Sequence, residues 1–537
     1  MIGWHIREFR TIAHLQEQVA ALRQVLAEGA ATRRPDAELM ADCIATARQA
    51  LADGATPLAV DLLQLLTTRI PDEAQIWAML GHALYRLQRM EAADAALAKA
   101  AQLAPNDPMA TLGHAMIRYE SGYPAVELFQ RAWHNAPKNG QGNLEILRNM
   151  ALAMMSECQH QAAASLLSDA LAGQPDWLDG HRALATLRWT QGNTADFCRS
   201  YAQACAAQAN NPGLWLAWFR MVAQSRDWLA ALEILDRAEK ALGGQPAFTV
   251  GRLFVAVESG DDARAEALFT QCAQIQGDVI NLCRIRHLIR QQRWTEAEAV
   301  ALPQISTPSA NIYWPYLSVI WRMKGDMERA IWLDRPDQSI QHFDLDIDQG
   351  ELNELAATLR TLHIAQAPYI EQSVRGGTQT DRSVLLRHEP IFQRTRQVLL
   401  AAMRDYVAAL PGVEEGHPLL GLPIRDLKPE QLLIEGSWSV RLLQQGYNVP
   451  HTHPMGWLSS AFYVALPSST QMGAAPAGHL SLGNAPEELG LSLPPYRTVQ
   501  PVRGRLAIFP STMWHGTVPF ADGERLVIAF DLKKPRC

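Results

Sequence analysis

Cysteine is scarce and badly spaced for a framework. Seven occur in 537 residues, none as a Cys-x-x-Cys pair, which argues against a disulfide scaffold or a cysteine zinc knuckle and for reduced thiols in a cytoplasm. Positive charge is not in surplus: the formal charge is −7 and the isoelectric point about 6.2. Phosphate backbones are held by clustered lysine and arginine, so nucleic acid is not an expected partner. Long apolar runs are missing, and no stretch reaches the length needed to cross a bilayer. The opening residues lack the basic, apolar and small-residue succession of a secretory leader. These absences together point to a cytoplasmic location away from membranes.

What the sequence does have is length and apolar content. The 48% hydrophobic share over 537 residues fills more than one core, so two or three domains are expected. Residues 1–34 read as a capping helix, with Ile12, Leu15, Val19, Leu22 and Val25 or Leu26 recurring at three and four. A dimer contact is the other use of that face. From 35 to 335 the pattern is repetitive. In the unit from Ala74 to Asp107, the residues Trp77, Leu80, Gly81, Ala93, Leu97, Ala100 and Pro105 stand at tetratricopeptide (TPR) spacings. Small Gly81 and Ala93 let two antiparallel helices touch, and Pro105 stops the second. Leu112, Gly113, Ala125, Phe129, Ala132 and Pro137 repeat the scheme, as do Ala151, Ala163, Leu167, Ala170 and Pro175. Weaker copies run to Leu333, giving about eight hairpins. The expected fold class is an all-α TPR-like solenoid followed by a β domain from 340 to 537. Such a solenoid usually offers a groove to a peptide or protein; a spacer or homodimer arm is the alternative.

Helical periodicity stops near Asp334 to Asp337. A strand is expected over 341–347 and helices over 349–362 and 389–409, with a polar loop at Arg375 to Thr380 between them. Short apolar runs follow at 432–443, 457–466, 479–482, 504–509, 517–520 and 525–532, with loops at 467–478 and 485–500.

His451 and His453 stand two apart, so on a strand both rings leave one face. Two imidazoles on one face chelate a transition metal, and a third, His515, follows. Arg525 comes ten residues later, past an Asp522-Gly523 turn, and an arginine grips a carboxylate bidentately. This constellation resembles the iron(II)- and 2-oxoglutarate-dependent oxygenases. The strings SVRGGTQT from Ser373, SWSVR from Ser437, GWLSSAFY from Gly456 and WHGT from Trp514 resemble more narrowly the bacterial 2OG-Fe(II) oxygenase proteins that carry TPR repeats. The resemblance implies a double-stranded β-helix (jelly roll), Fe(II) as the metal, 2-oxoglutarate and O2 as cosubstrates, and ascorbate as an aid to turnover. It makes His451, His453 and His515 the metal ligands and Arg525 the partner of the 2-oxoglutarate tail. Related enzymes also place a tyrosine on that tail, which here points to Tyr463.

The carboxylate usual at the second position is His453 here. Two arrangements fit: three histidine ligands, or His451 and His515 alone with His453 behind them or against substrate. A cupin would want a glutamate where Gly456 and Trp457 stand, and a hydrolytic zinc site explains neither Arg525 nor the lack of a nearby base. A histidine at this position also disfavours halogenation. Arg441, sharing parity with Ser437 and Ser439, is a candidate pocket or cofactor residue; a salt-bridged surface arginine is the other reading. Arg375 and Gln379 on the polar loop, and Trp457 and Trp514 beside the histidines, are candidates for substrate contact. The expected activity is hydroxylation of a peptide or protein recruited by the repeats. A silent scaffold with a metal-binding β domain, and an oxygenase acting on a small metabolite, stand as alternatives.

Overall fold

The computed structural model describes residues 2–28, 36–137, 141–370, 372–422 and 431–535. The expected boundary at 34/35 between capping helix and repeats lies outside the described residues. The chain begins with the helix Ile2–Glu28 and continues as helical hairpins through Asp334. Leu15, Val19 and Leu26 of the first helix are buried, while Val25 is half exposed, which decides between the two candidates for the last apolar position.

The hairpins recur with a backbone signature. Gly54, Gln88, Gly122, Cys158, Gly192, Arg226, Gly260, Gln292 and Gly325 all have positive φ, close to every thirty-four residues. Each sits in the turn between paired helices, such as Ala74–Arg86 and Met90–Leu103, where a left-handed residue reverses the chain. Two hairpins that the residue pattern did not single out, Ala37–Ala52 with Thr56–Arg69 and Leu178–Thr190 with Arg199–Ala207, carry the same turn. Inside the clearest repeat, a Cβ on Gly81 would lie 2.4 Å from Leu97 Cγ. That contact leaves no room for a methyl and sets how closely the helices approach. Asp107 and Asn211 cap the helices that follow them, each with proline in the first turn.

Contacts divide the chain into two compact units, one from residues 1–163 with 386–393, the other from 164–385 with 394–535. The second unit holds all nine strands found among the described residues: β1 Gln341–Asp344, β2 Val374–Gln379, β3 Ile434–Asn448, β4 Leu458–Ala465, β5 Leu480–Leu482, β6 Arg497–Val499, β7 Arg505–Pro510, β8 His515–Thr517 and β9 Arg525–Leu532. A six-stranded sheet runs β1-β7-β4-β9-β3-β2 and a three-stranded one β6-β5-β8, antiparallel throughout. Ala461, Tyr463, Ala507, Phe509 and Val527 of the large sheet pack with Leu480, Leu482 and Val499 of the small one, forming the double-sheet core of a jelly roll. The described residues contain no helix long and apolar enough to cross a membrane.

Three local expectations change. Arg375 to Thr380 is not a loop: β2 pairs with β3, with a bulge at Gly376. A Cβ on Gly377 would fall 2.2 Å from the Arg441 carbonyl oxygen, so these glycines serve strand pairing rather than a turn. The expected strand at 517–520 is centred earlier, on His515–Thr517, because His515 pairs with Leu482. Within the stretch 485–500, Arg497–Val499 forms β6 against β5.

Candidate metal centre

His451, His453 and His515 converge. One ring nitrogen from each lies within 4.8 Å of the others, and the ring centroids stand 4.3 to 5.0 Å apart. Backbone pairing sets His451 and His515: the His451 amide donates to the His515 carbonyl at 2.9 Å, and the His515 amide returns the bond at 3.0 Å. The His453 amide donates to the Ser511 carbonyl at 2.9 Å.

The tautomers follow from the partners. His451 Nδ1 is 2.8 Å from the Val449 carbonyl oxygen and His515 Nδ1 3.0 Å from that of Met513. A carbonyl oxygen only accepts, so both Nδ1 atoms carry hydrogen and both Nε2 atoms keep a lone pair. His453 Nδ1 donates to Asp531 Oδ1 at 2.9 Å, with Ser459 Oγ 3.1 Å away. Burial, and then the neighbouring His453 ring, hold His451 down to about 3. His515 lies well below its ordinary range through burial and then the other two rings. Imidazoles kept neutral in this way are in the state that a metal requires.

The histidines line a pocket of about 520 Å³, open solvent at its mouth included, with Trp438, Phe509 and Arg525 among its walls. Arg525 is 2% exposed. Among the described residues no carboxylate pairs with it, and its Nε meets no acceptor. The guanidinium lies 5.0 Å over the Tyr463 ring, and the buried Tyr463 hydroxyl beside it interacts with it. A buried cation with no carboxylate beside it is costly unless a ligand completes it. A carboxylate fits it, and a divalent metal fits the three converging ring nitrogens.

Other candidates are placed elsewhere. Arg441 does not reach the pocket. Trp438 and Val440 of β3 line it, so alternation turns Arg441 to the opposite face, where its Nε donates to Glu524 at 2.6 Å. Gln379 lines the pocket, but Arg375 folds back onto the Gln372 and Val374 carbonyls. Trp457 donates to the Leu419 carbonyl and Trp514 to that of Pro315. Both indoles pack away from the histidines, so neighbourhood in sequence is not neighbourhood in space. Several residues went unnoticed in the sequence: Asp531 and Ser459 behind His453, Ser373 with Oγ 3.3 Å from His451 Nε2, and Gln372 and Asn448 on the pocket wall. Asp531 carried a readable signal, because Arg525, Val527, Ala529 and Asp531 share one face of β9.

Residues 436–531 match the family model described as "Putative 2OG-Fe(II) oxygenase", and residues 74–107 match the tetratricopeptide repeat. The β domain is thus similar to the 2OG-Fe(II) oxygenase family over residues 436–531, and one helical hairpin to the tetratricopeptide repeat. Among solved structures, a prolyl-4-hydroxylase from Pseudomonas putida is 18% identical with a TM-score of 0.25, covering 37% of this chain and 94% of its own. HygX from Streptomyces hygroscopicus, solved with nickel and 2-oxoglutarate, is 12% identical with a TM-score of 0.25, over 37% and 84%. A tetratricopeptide repeat protein from Parabacteroides merdae is 13% identical with a TM-score of 0.29, over 45% and 98%. The comparison with curated proteins found no match.

Proposed function

We propose that this protein is an Fe(II)- and 2-oxoglutarate-dependent dioxygenase that hydroxylates a peptide or protein recruited by its repeats. The observation that carries the reading is one pocket holding three imidazoles with converging ring nitrogens and, among the described residues, a buried guanidinium without a carboxylate partner. His451, His453 and His515 would hold the iron, and Arg525 with the Tyr463 hydroxyl would hold the distal carboxylate of 2-oxoglutarate. Together with O2, these groups supply the oxidising power for C–H hydroxylation.

The chain's own residues bind, orient and exclude water. Phe509 packs 4.6 Å from the His515 ring and Trp438 5.2 Å from that of His453, walling the ligands from solvent. Gln372, Gln379 and Asn448 line the same pocket and offer amide groups to orient a substrate backbone. Residues 35–335 serve as the repeat domain and 340–537 as the oxygenase domain. The TPR match supports a peptide or protein substrate, because stacked repeats present extended binding surfaces.

The test uses the full chain with Fe(II), ascorbate and 2-oxoglutarate. Succinate should form, and calorimetry should detect 2-oxoglutarate binding; His515→Ala should abolish succinate formation. Absence of both succinate and binding in the unmodified protein would overturn the assignment.

A further inference from the structure

The three histidines are not backed alike. His451 and His515 each donate Nδ1–H to a neutral carbonyl two residues earlier, on Val449 and Met513. His453 alone donates to a full negative charge, Asp531 Oδ1, at 2.9 Å. That carboxylate is 8% exposed. It also accepts from Ser459 Oγ at 2.7 Å, and Ser459 Oγ in turn accepts from the Ser511 hydroxyl at 2.9 Å. Gly456 leaves space for the arrangement: a Cβ there would stand 2.5 Å from Ser511 Oγ and 3.1 Å from Asp531 Cβ.

Among the described residues no lysine or arginine pairs with Asp531; its one ion-pair partner is His453. A buried carboxylate whose partners are an imidazole and a hydroxyl lacks the fixed cation that would ordinarily balance it. A divalent cation on three imidazoles has the opposite deficit, two positive charges with no anionic ligand from the protein. The two deficits cancel across one imidazole. A carboxylate hydrogen-bonded to the far nitrogen also fixes the ring's direction and raises its donor strength.

We propose that Asp531 is a positioning residue that acts through His453, supplying the anionic charge of the metal site from behind the ring, with Ser459 holding the carboxylate in line. The inference rests on the reading of the histidines as metal ligands. Its test therefore measures metal binding itself, with Co(II) as probe, by calorimetry and visible absorption on the full chain.

Asp531→Asn should bind Co(II) about 10- to 100-fold more weakly than the unmodified protein, with displaced visible bands and a melting temperature in metal-free buffer that is not lowered. Ser459→Ala keeps the charge and loosens its aim, and should weaken binding less than Asp531→Asn while still displacing the bands. A purely structural Asp531 predicts the reverse: a lower metal-free melting temperature and unchanged Co(II) affinity and spectrum. Affinities within twofold of the unmodified protein in whichever of the two variants fold would overturn the role of Asp531 and leave the metal site standing. No Co(II) binding by the unmodified protein would overturn both.

Discussion

Gly81 and Leu97 touch because one helical turn-back brings them together, and everything needed for the contact lies within a single repeat. His453 and Asp531 touch across 78 positions, and the contact exists only after β3, β4, β7 and β9 have paired. The repeats are a sum of local agreements, each readable alone. The candidate metal centre is a property of the finished sheets, and no part of it is complete within one segment. The proposed function thus rests on residues that depend most on distant neighbours, whereas the repeats depend on them least.

The sharpest way to break that contrast is Arg525→Met. If the guanidinium awaits a carboxylate, its loss should weaken 2-oxoglutarate binding at least about 30-fold, as for truncation of one partner of a buried charge pair. The ligand-free protein should melt no lower, since an unsatisfied buried cation is removed. Arg441→Ala, on the opposite face of its strand, should leave 2-oxoglutarate affinity within twofold. Calorimetry on both variants checks the pair, and equal losses would contradict the division of faces.

The local character of the repeats is tested next. Gly81→Val forces atoms into Leu97, and overpacking of this kind costs about 1–3 kcal/mol. Denaturant unfolding should show that loss, while Co(II) affinity stays unchanged if the contact is as local as its place within one repeat implies.

The smallest effect concerns pH. His363 bridges Thr378 Oγ1 and Ser439 Oγ, and burial, then the Arg441 charge, lower it to about 4. The unfolded chain takes up this proton near 6.5, whereas the folded one resists it until about 4. Stability therefore falls as the pH drops through that window, by about 1 kcal/mol between pH 6 and 5 from this group. His363→Gln should flatten the slope by that amount in urea titrations at the two pH values.

Legibility followed the same division. Gly81, Ala93 and Pro105 announced a hairpin because their roles are fixed by spacing alone. His451 and His453 announced a shared face for the same reason, and His515 and Arg525 joined them through strand and turn signals. Arg441 stood between a pocket residue and a salt-bridged surface arginine, and its bond to Glu524 agrees with the second; its parity with two serines was readable, but which face of β3 covers the core was not. Trp457 and Trp514 misled because adjacency to a ligand says nothing of where a side chain points. Gly376 and Gly377 suggested a turn, yet their openness serves a bulged edge strand. Asp531 was within reach of the alternation along β9, but its meaning needed the position of His453.

Two of the three rings owe their places to a reciprocal pair of main-chain bonds between 451 and 515, whereas the third has one main-chain bond to a distant segment and one to its own turn, and is steadied by side chains. Exchanging the group at 453 for a shorter one would therefore disturb no ladder between strands. Position 453 is the corner of the centre most open to evolutionary tinkering, while 451 and 515 are locked together and can only change as a couple.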